Sequence, residues 1–94
     1  MPLEREVEQH FEWAVAMMGG LCWKTKAIGR VGFPDRVALL PGAIWLVELK
    51  QPHGRLAAAQ AQFAEDCARM KVNYACLWSI KAIDEWAKGR SFVL

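Results

Sequence analysis

Apolar residues recur at three- and four-residue intervals near the start of the chain: Leu3, Val7, Phe11, Ala14, Val15 and Met18. That spacing lays them on one face of a helix over residues 3–18. Gly19-Gly20 ends it, because glycine closes a helix at little conformational cost. Trp13 and Met17 lie away from the stripe; they either meet a second surface, such as another subunit, or lie partly exposed. The period then changes to two. Leu21, Trp23 and Thr25 alternate with Cys22, Lys24 and Lys26, which predicts a strand over 21–27.

Ile28 to Gly32 reads as a glycine-punctuated loop, and Phe33-Pro34-Asp35 leads into a short strand over 36–40. Pro41-Gly42 is a turn pair, so a hairpin joins that strand to the next, over 44–50. This third strand is almost wholly apolar until Glu48, the pattern of a central strand covered on both faces. Gln51 to Arg55 is a loop. A second helix over 56–70 carries the stripe Leu56, Gln60, Phe63, Cys67 and Met70. A fourth strand over 72–78 follows, and Ser79 caps a last helix to about residue 88, with Ile83 and Trp86 inward. The order is α-β-β-β-α-β-α. The helix between the third and fourth strands makes them parallel neighbours joined by a right-handed crossover. No internal repeat, linker or low-complexity stretch interrupts the chain.

The 94 residues fit a single domain, residues 1–94. Apolar residues make up 54% and charged residues 23%, which excludes a disordered tail. A core of this size is thin, and five Trp point to partner burial as a supplement. The net charge of +2 is too mild to establish a nucleic-acid binder, but its distribution is uneven. Residues 1–23 hold one basic and four acidic side chains; residues 24–55 hold six basic and only two acidic ones, Asp35 and Glu48. Cys22, Cys67 and Cys76 lack zinc-site spacing and read as small buried hydrophobes in a reducing compartment. Neither a signal peptide nor an apolar run of membrane-spanning length is present, so a soluble cytoplasmic protein is expected.

Those two isolated carboxylates frame the candidate chemistry. Asp35 starts the second strand, and Glu48 and Lys50, two apart on the third, project from one face. The Pro41-Gly42 hairpin folds one strand against the other and can bring Asp35 to Glu48. Two close carboxylates repel and favour a shared divalent cation. Oxygen ligands of this kind suit Mg²⁺ or Mn²⁺. Lys50 can position an attacking water or stabilise charge on a phosphoryl transition state. The arrangement is that of a phosphodiester hydrolase.

Gly32-Phe33-Pro34-Asp35-Arg36-Val37, Val47-Glu48-Leu49-Lys50, Gly54-Arg55-Leu56 and Gln60 together resemble the VRR-Nuc family, the virus-type replication-repair nucleases. That family belongs to the PD-(D/E)XK superfamily, and the resemblance covers about residues 4–79. It implies an α/β restriction-endonuclease-like core, a mixed sheet of about four strands flanked by helices. Asp35 and Glu48 are then metal ligands, and Asp35, Glu48, Lys50 and Gln60 the catalytic set. The superfamily often adds a glutamate from the first helix to the metal site; Glu8 fits best, with Glu4 as the alternate. Gln60, the one polar member of its stripe, would support the site by bonding Lys50 or the scissile phosphate.

Lys24, Lys26, Arg30, Arg36, His53 and Arg55 are candidate phosphate contacts. His10 reads as an ordinary helix residue. The expected activity is a Mg²⁺- or Mn²⁺-dependent endonuclease that reads DNA shape, such as four-way (Holliday) junctions in DNA repair. The resemblance is to stand-alone phage and bacterial members, which implies a homodimer in the cytoplasm of a bacterial or phage-infected cell. Two other readings stand beside it: a non-catalytic DNA-binding or assembly module on a nuclease scaffold, and a nuclease subunit active only with a helicase partner.

Overall fold

The computed structural model describes residues 4–25, 32–50 and 54–90. Among the described residues, three helices flank one four-stranded sheet: α1 (Glu4–Met17), β1 (Leu21–Lys24), β2 (Arg36–Leu40), β3 (Ala43–Leu49), α2 (Ala58–Met70), β4 (Tyr74–Leu77) and α3 (Ile80–Lys88). The sheet order is β1-β2-β3-β4. β1–β2 and β2–β3 are antiparallel, and β3–β4 is parallel, as the α2 crossover requires. The mixed α/β architecture anticipated from the sequence is the one observed, with strand ends trimmed by a few residues.

The α1 stripe builds the core. Val7, Phe11, Ala14, Val15 and Met18 are buried together with Ala38, Leu40, Val47, Leu77, Ile83 and Trp86. α1 and α3 therefore cover one sheet face, and the rings of Phe11, Trp86 and Trp45 pack in series across it. Ser79 Oγ accepts the Ala82 N–H and caps α3. Pro41 with Gly42 at φ 81° makes the hairpin tip, a left-handed position that glycine takes without strain.

α2 lies on the opposite face. Phe63 meets Tyr74 of β4 and Phe33 ahead of β2. On that face Leu21 and Trp23 of β1 and Ile44 at the start of β3 are exposed, while Val37 and Leu39 of β2 are half-buried. This corrects the expectation that β3 is covered on both faces: a single helix is too narrow for four strands. Met70, expected inside, is exposed at the end of α2. Cys67 is buried, whereas Cys22 and Cys76 are only half-buried; all three are free thiols. Among the described residues no helix is long and apolar enough to cross a membrane.

Candidate active site

The hairpin register fixes the central pair. Arg36 pairs with Val47, so the ladder's next step sets Asp35 across from Glu48. The Asp35 N–H donates to Glu48 Oε1 at 3.2 Å, and the Leu49 N–H donates to Asp35 Oδ2 at 3.3 Å. Each carboxylate is thus held by the main chain of the strand carrying the other. The Thr25 N–H donates to the Asp35 carbonyl at 2.8 Å, and Thr25 Oγ1 donates to the Pro34 carbonyl.

Gly32 seats this segment on α2. Its φ is +94°, and a Cβ there would lie 2.5 Å from the Ala59 carbonyl oxygen. Only glycine permits that approach. The first turn of α2 in turn aims Gln60. Its Oε1 accepts the Ala57 N–H at 2.8 Å, which fixes the amide so that Nε2 donates to Glu48 Oε2 at 3.0 Å. Lys50 Nζ stands 3.7 Å from the same oxygen, and the Lys50 N–H donates to the Leu77 carbonyl at 2.9 Å. Gln60 holds Glu48; of the two partners expected for it, Lys50 and the scissile phosphate, the bond to Lys50 is not formed, because Ala57 and Glu48 engage both ends of the amide.

Glu48 is 2% exposed, whereas Asp35 opens to solvent. Burial pushes the Glu48 pKa from 4.5 up to about 7; the Asp35 charge and a hydrogen bond to Asp35 add to the rise, and Lys50 opposes it. Glu48 therefore holds its proton more readily than an ordinary carboxylate. Cys76 pairs with Glu48 across β4. Burial and then the Glu48 charge raise its thiol to about 11. Burial, followed by the neighbouring thiols and carboxylates, also drives the Tyr74 phenol upward.

Asp35, Glu48, Lys50 and Gln60 line a cleft of about 470 Å³ at the sheet end, together with Glu4, Glu8, Lys24, Thr25, Arg36 and Gly54. Glu8 Oε1 lies 3.2 Å from Arg36 Nη2 and 3.6 Å from Lys24 Nζ. Arg36 Nη1 lies 3.4 Å from Glu12. Arg36 is a correction to the sequence reading. Its side chain is 2% exposed and gripped by two glutamates, so it is not open to a DNA phosphate. Strand parity held that signal, since Arg36 alternates inward with Ala38 and Leu40. Glu8 lines the cleft, and its carboxylate pairs with Arg36 and Lys24. Lys24 is exposed at the cleft rim, and Arg55 is exposed next to Gly54. Lys26, Arg30 and His53 lie outside the described residues. His10 is more than an ordinary helix residue: its Nε2 meets Asp84 Oδ1 at 2.6 Å and ties α1 to α3.

Among the described residues no three His, Cys, Asp or Glu side chains converge as a metal cage. The donor chemistry nevertheless fits a hard divalent cation. Asp35 and Glu48 supply two carboxylates side by side, and Mg²⁺ commonly takes one or two carboxylates while water and substrate phosphate complete its shell.

No family model matches the chain. A phage protein named "Putative nuclease p44", from Acyrthosiphon pisum secondary endosymbiont phage 1, is 42% identical over 50 residues. The match takes in 52% of this chain and 54% of that protein, so the chain spans about half the length of the curated relative it matches. A solved structure of a VRR_NUC domain superposes with a TM-score of 0.84 at 29% identity, covering 90% of this chain and 94% of the other. Fold and motif agree in their likeness to VRR_NUC domains.

Proposed function

We propose that the chain is a divalent-metal-dependent endonuclease that hydrolyses phosphodiester bonds in DNA. The observation that carries this reading is the Asp35–Glu48 pair, set face to face by strand register, with Lys50 and Gln60 on the same Glu48 oxygen. The VRR-Nuc likeness and the phage nuclease relative support it.

Asp35 and Glu48 would hold Mg²⁺ or Mn²⁺, which when bound lowers the pKa of a water and polarises a phosphoryl oxygen. Gln60 keeps the Glu48 carboxylate turned toward Asp35. Lys50 offers a cation at the cleft floor that orients the attacking water and offsets charge developing on the phosphate. Glu8 holds Lys24 at the rim, where its ammonium meets the DNA backbone. Arg36, buried between Glu8 and Glu12, fixes α1 against β2 and so keeps the cleft wall in place.

The preferred substrate is branched DNA such as a four-way junction, cut by a homodimer in the cytoplasm. Recognition by shape suits a cleft with no base-reading element inserted among the described residues. Exposed Trp13 and Met17 beside a groove of about 540 Å³ between α1 and α3 support a paired subunit. Residues 1–94 act as one nuclease domain in this reading.

The test is a cleavage panel of linear, flapped and four-way DNA with Mg²⁺, Mn²⁺ or EDTA. Cleavage requires metal, favours branched DNA, and disappears in Asp35→Ala and Glu48→Gln. Activity that persists in either variant refutes the assignment of the site.

A further inference from the structure

The open half of the sheet places an aromatic platform beside the carboxylate pair. β1 and β2 are antiparallel, with Trp23 opposite Val37 and Thr25 bonded across to Asp35. Residues directly opposite in such a ladder share a face. Trp23, Thr25, Asp35 and Glu48 therefore stand on one side of the sheet. Lys24 and Arg36 turn to the other, as their contacts with Glu8 confirm. Trp23 is the diagonal neighbour of Asp35, at a typical spacing of roughly 7–8 Å between Cα atoms. At roughly 3.4 Å per stacked base that is about two nucleotides from a phosphate held at the pair.

The indole does not serve the core. Trp23 is 54% exposed and Leu21 60%, while Phe11, Trp45 and Trp86 fill the interior on the opposite side. α2 packs against β4, the far edge of the sheet from β1. A flat aromatic surface left in water next to a backbone-cleaving site matches the chemistry of an unpaired base, since every base has a face that stacks. Lys24, the next residue along β1, supplies positive charge at the same rim.

We propose that Trp23 is a stacking platform for an unpaired nucleobase adjacent to the cleavage position. It selects DNA with strands splayed open, not continuous duplex. The inference rests on the nuclease reading for the identity of the ligand, and it names what that site recognises.

Binding in EDTA tests it apart from cleavage. Wild type, Trp23→Phe and Trp23→Leu are titrated by fluorescence anisotropy against a fully paired duplex and the same duplex with a splayed single-stranded end. Leucine keeps the position apolar and removes the π face. Trp23→Leu weakens binding to splayed DNA roughly 5- to 100-fold, and Trp23→Phe keeps most of the affinity. Both variants bind paired duplex like the wild type. Equal affinity of wild type and Trp23→Leu for splayed DNA overturns the proposal, as does equal loss on both DNAs or no DNA binding by the wild type. A dimer-to-monomer change in Trp23→Leu also overturns it and makes this face a subunit contact. If the wild type binds as expected but cuts no DNA with any metal, the nuclease reading fails while the platform stands.

Discussion

Glu48→Gln should change how stability responds to pH, because the native fold holds a proton on Glu48 that the unfolded chain gives up. The native pKa is about 7 against an ordinary 4.5. Between these values the native state binds more protons than the unfolded state, so stability falls as pH rises. It is fully retained below about 4.5, declines across the interval, and levels off above 7. The interval of about 2.5 units, at about 1.36 kcal/mol each, amounts to about 3 kcal/mol. Glutamine keeps a neutral group that can still accept from Gln60 and donate toward Asp35. Urea unfolding at pH 4.5, 5.5, 6.5 and 7.5 in EDTA reads the difference. With a slope of roughly 1.5 kcal/mol/M, the wild-type midpoint loses about 2 M relative to Glu48→Gln across that range. Saturating Mg²⁺ should reduce the loss, since a cation favours the ionised pair. Parallel midpoints for the two proteins would show that Glu48 titrates normally and that the desolvation argument is wrong.

Four further outcomes follow from the packing and the site. Gly32→Ala meets the Ala59 carbonyl and a positive φ, and should lose about 2–3 kcal/mol, read by thermal melting. Lys71→Gly relieves a left-handed C-cap at φ 59° and should gain about 0.5–1 kcal/mol, raising Tm by roughly 2–8 °C. Glu8→Ala combined with Glu12→Ala strands a buried guanidinium and should cost about 3–5 kcal/mol, more than Arg36→Met, whose released glutamates reach water. Lys50→Ala should lower kcat by about 10²–10³ with folding intact, measured in single-turnover cleavage beside circular dichroism.

Much of the fold was legible because the periods were clean. The α1 stripe, the Pro41-Gly42 hairpin and the Ser79 cap each had a local signal, and each formed where that signal stood. The Asp35–Glu48 pairing was legible too, since a tight hairpin dictates which residues face one another. What the chain pattern could not show was which charges neutralise each other across elements. Arg36 looked like a phosphate contact because its partners, Glu8 and Glu12, sit 28 and 24 residues away on α1. Gln60 was singled out for being polar in an apolar stripe, but its partner depended on how α2 crosses β3. The coverage of β3 was misjudged for a related reason: hydrophobicity says that a strand wants cover, whereas the width of α2 decides how much it receives.

The two-to-one pleat of the hairpin also governs where this chain can grow or shrink. Losing one residue within β3 would rotate Glu48 and Lys50 to the α1 side and deliver Val47 and Leu49 to the cleft. Residues added at Pro41-Gly42 lengthen only the tip and leave every rung beyond it in step. Length variation between the two acidic residues is therefore confined to the bend, and the ladder acts as a ruler for the chemistry.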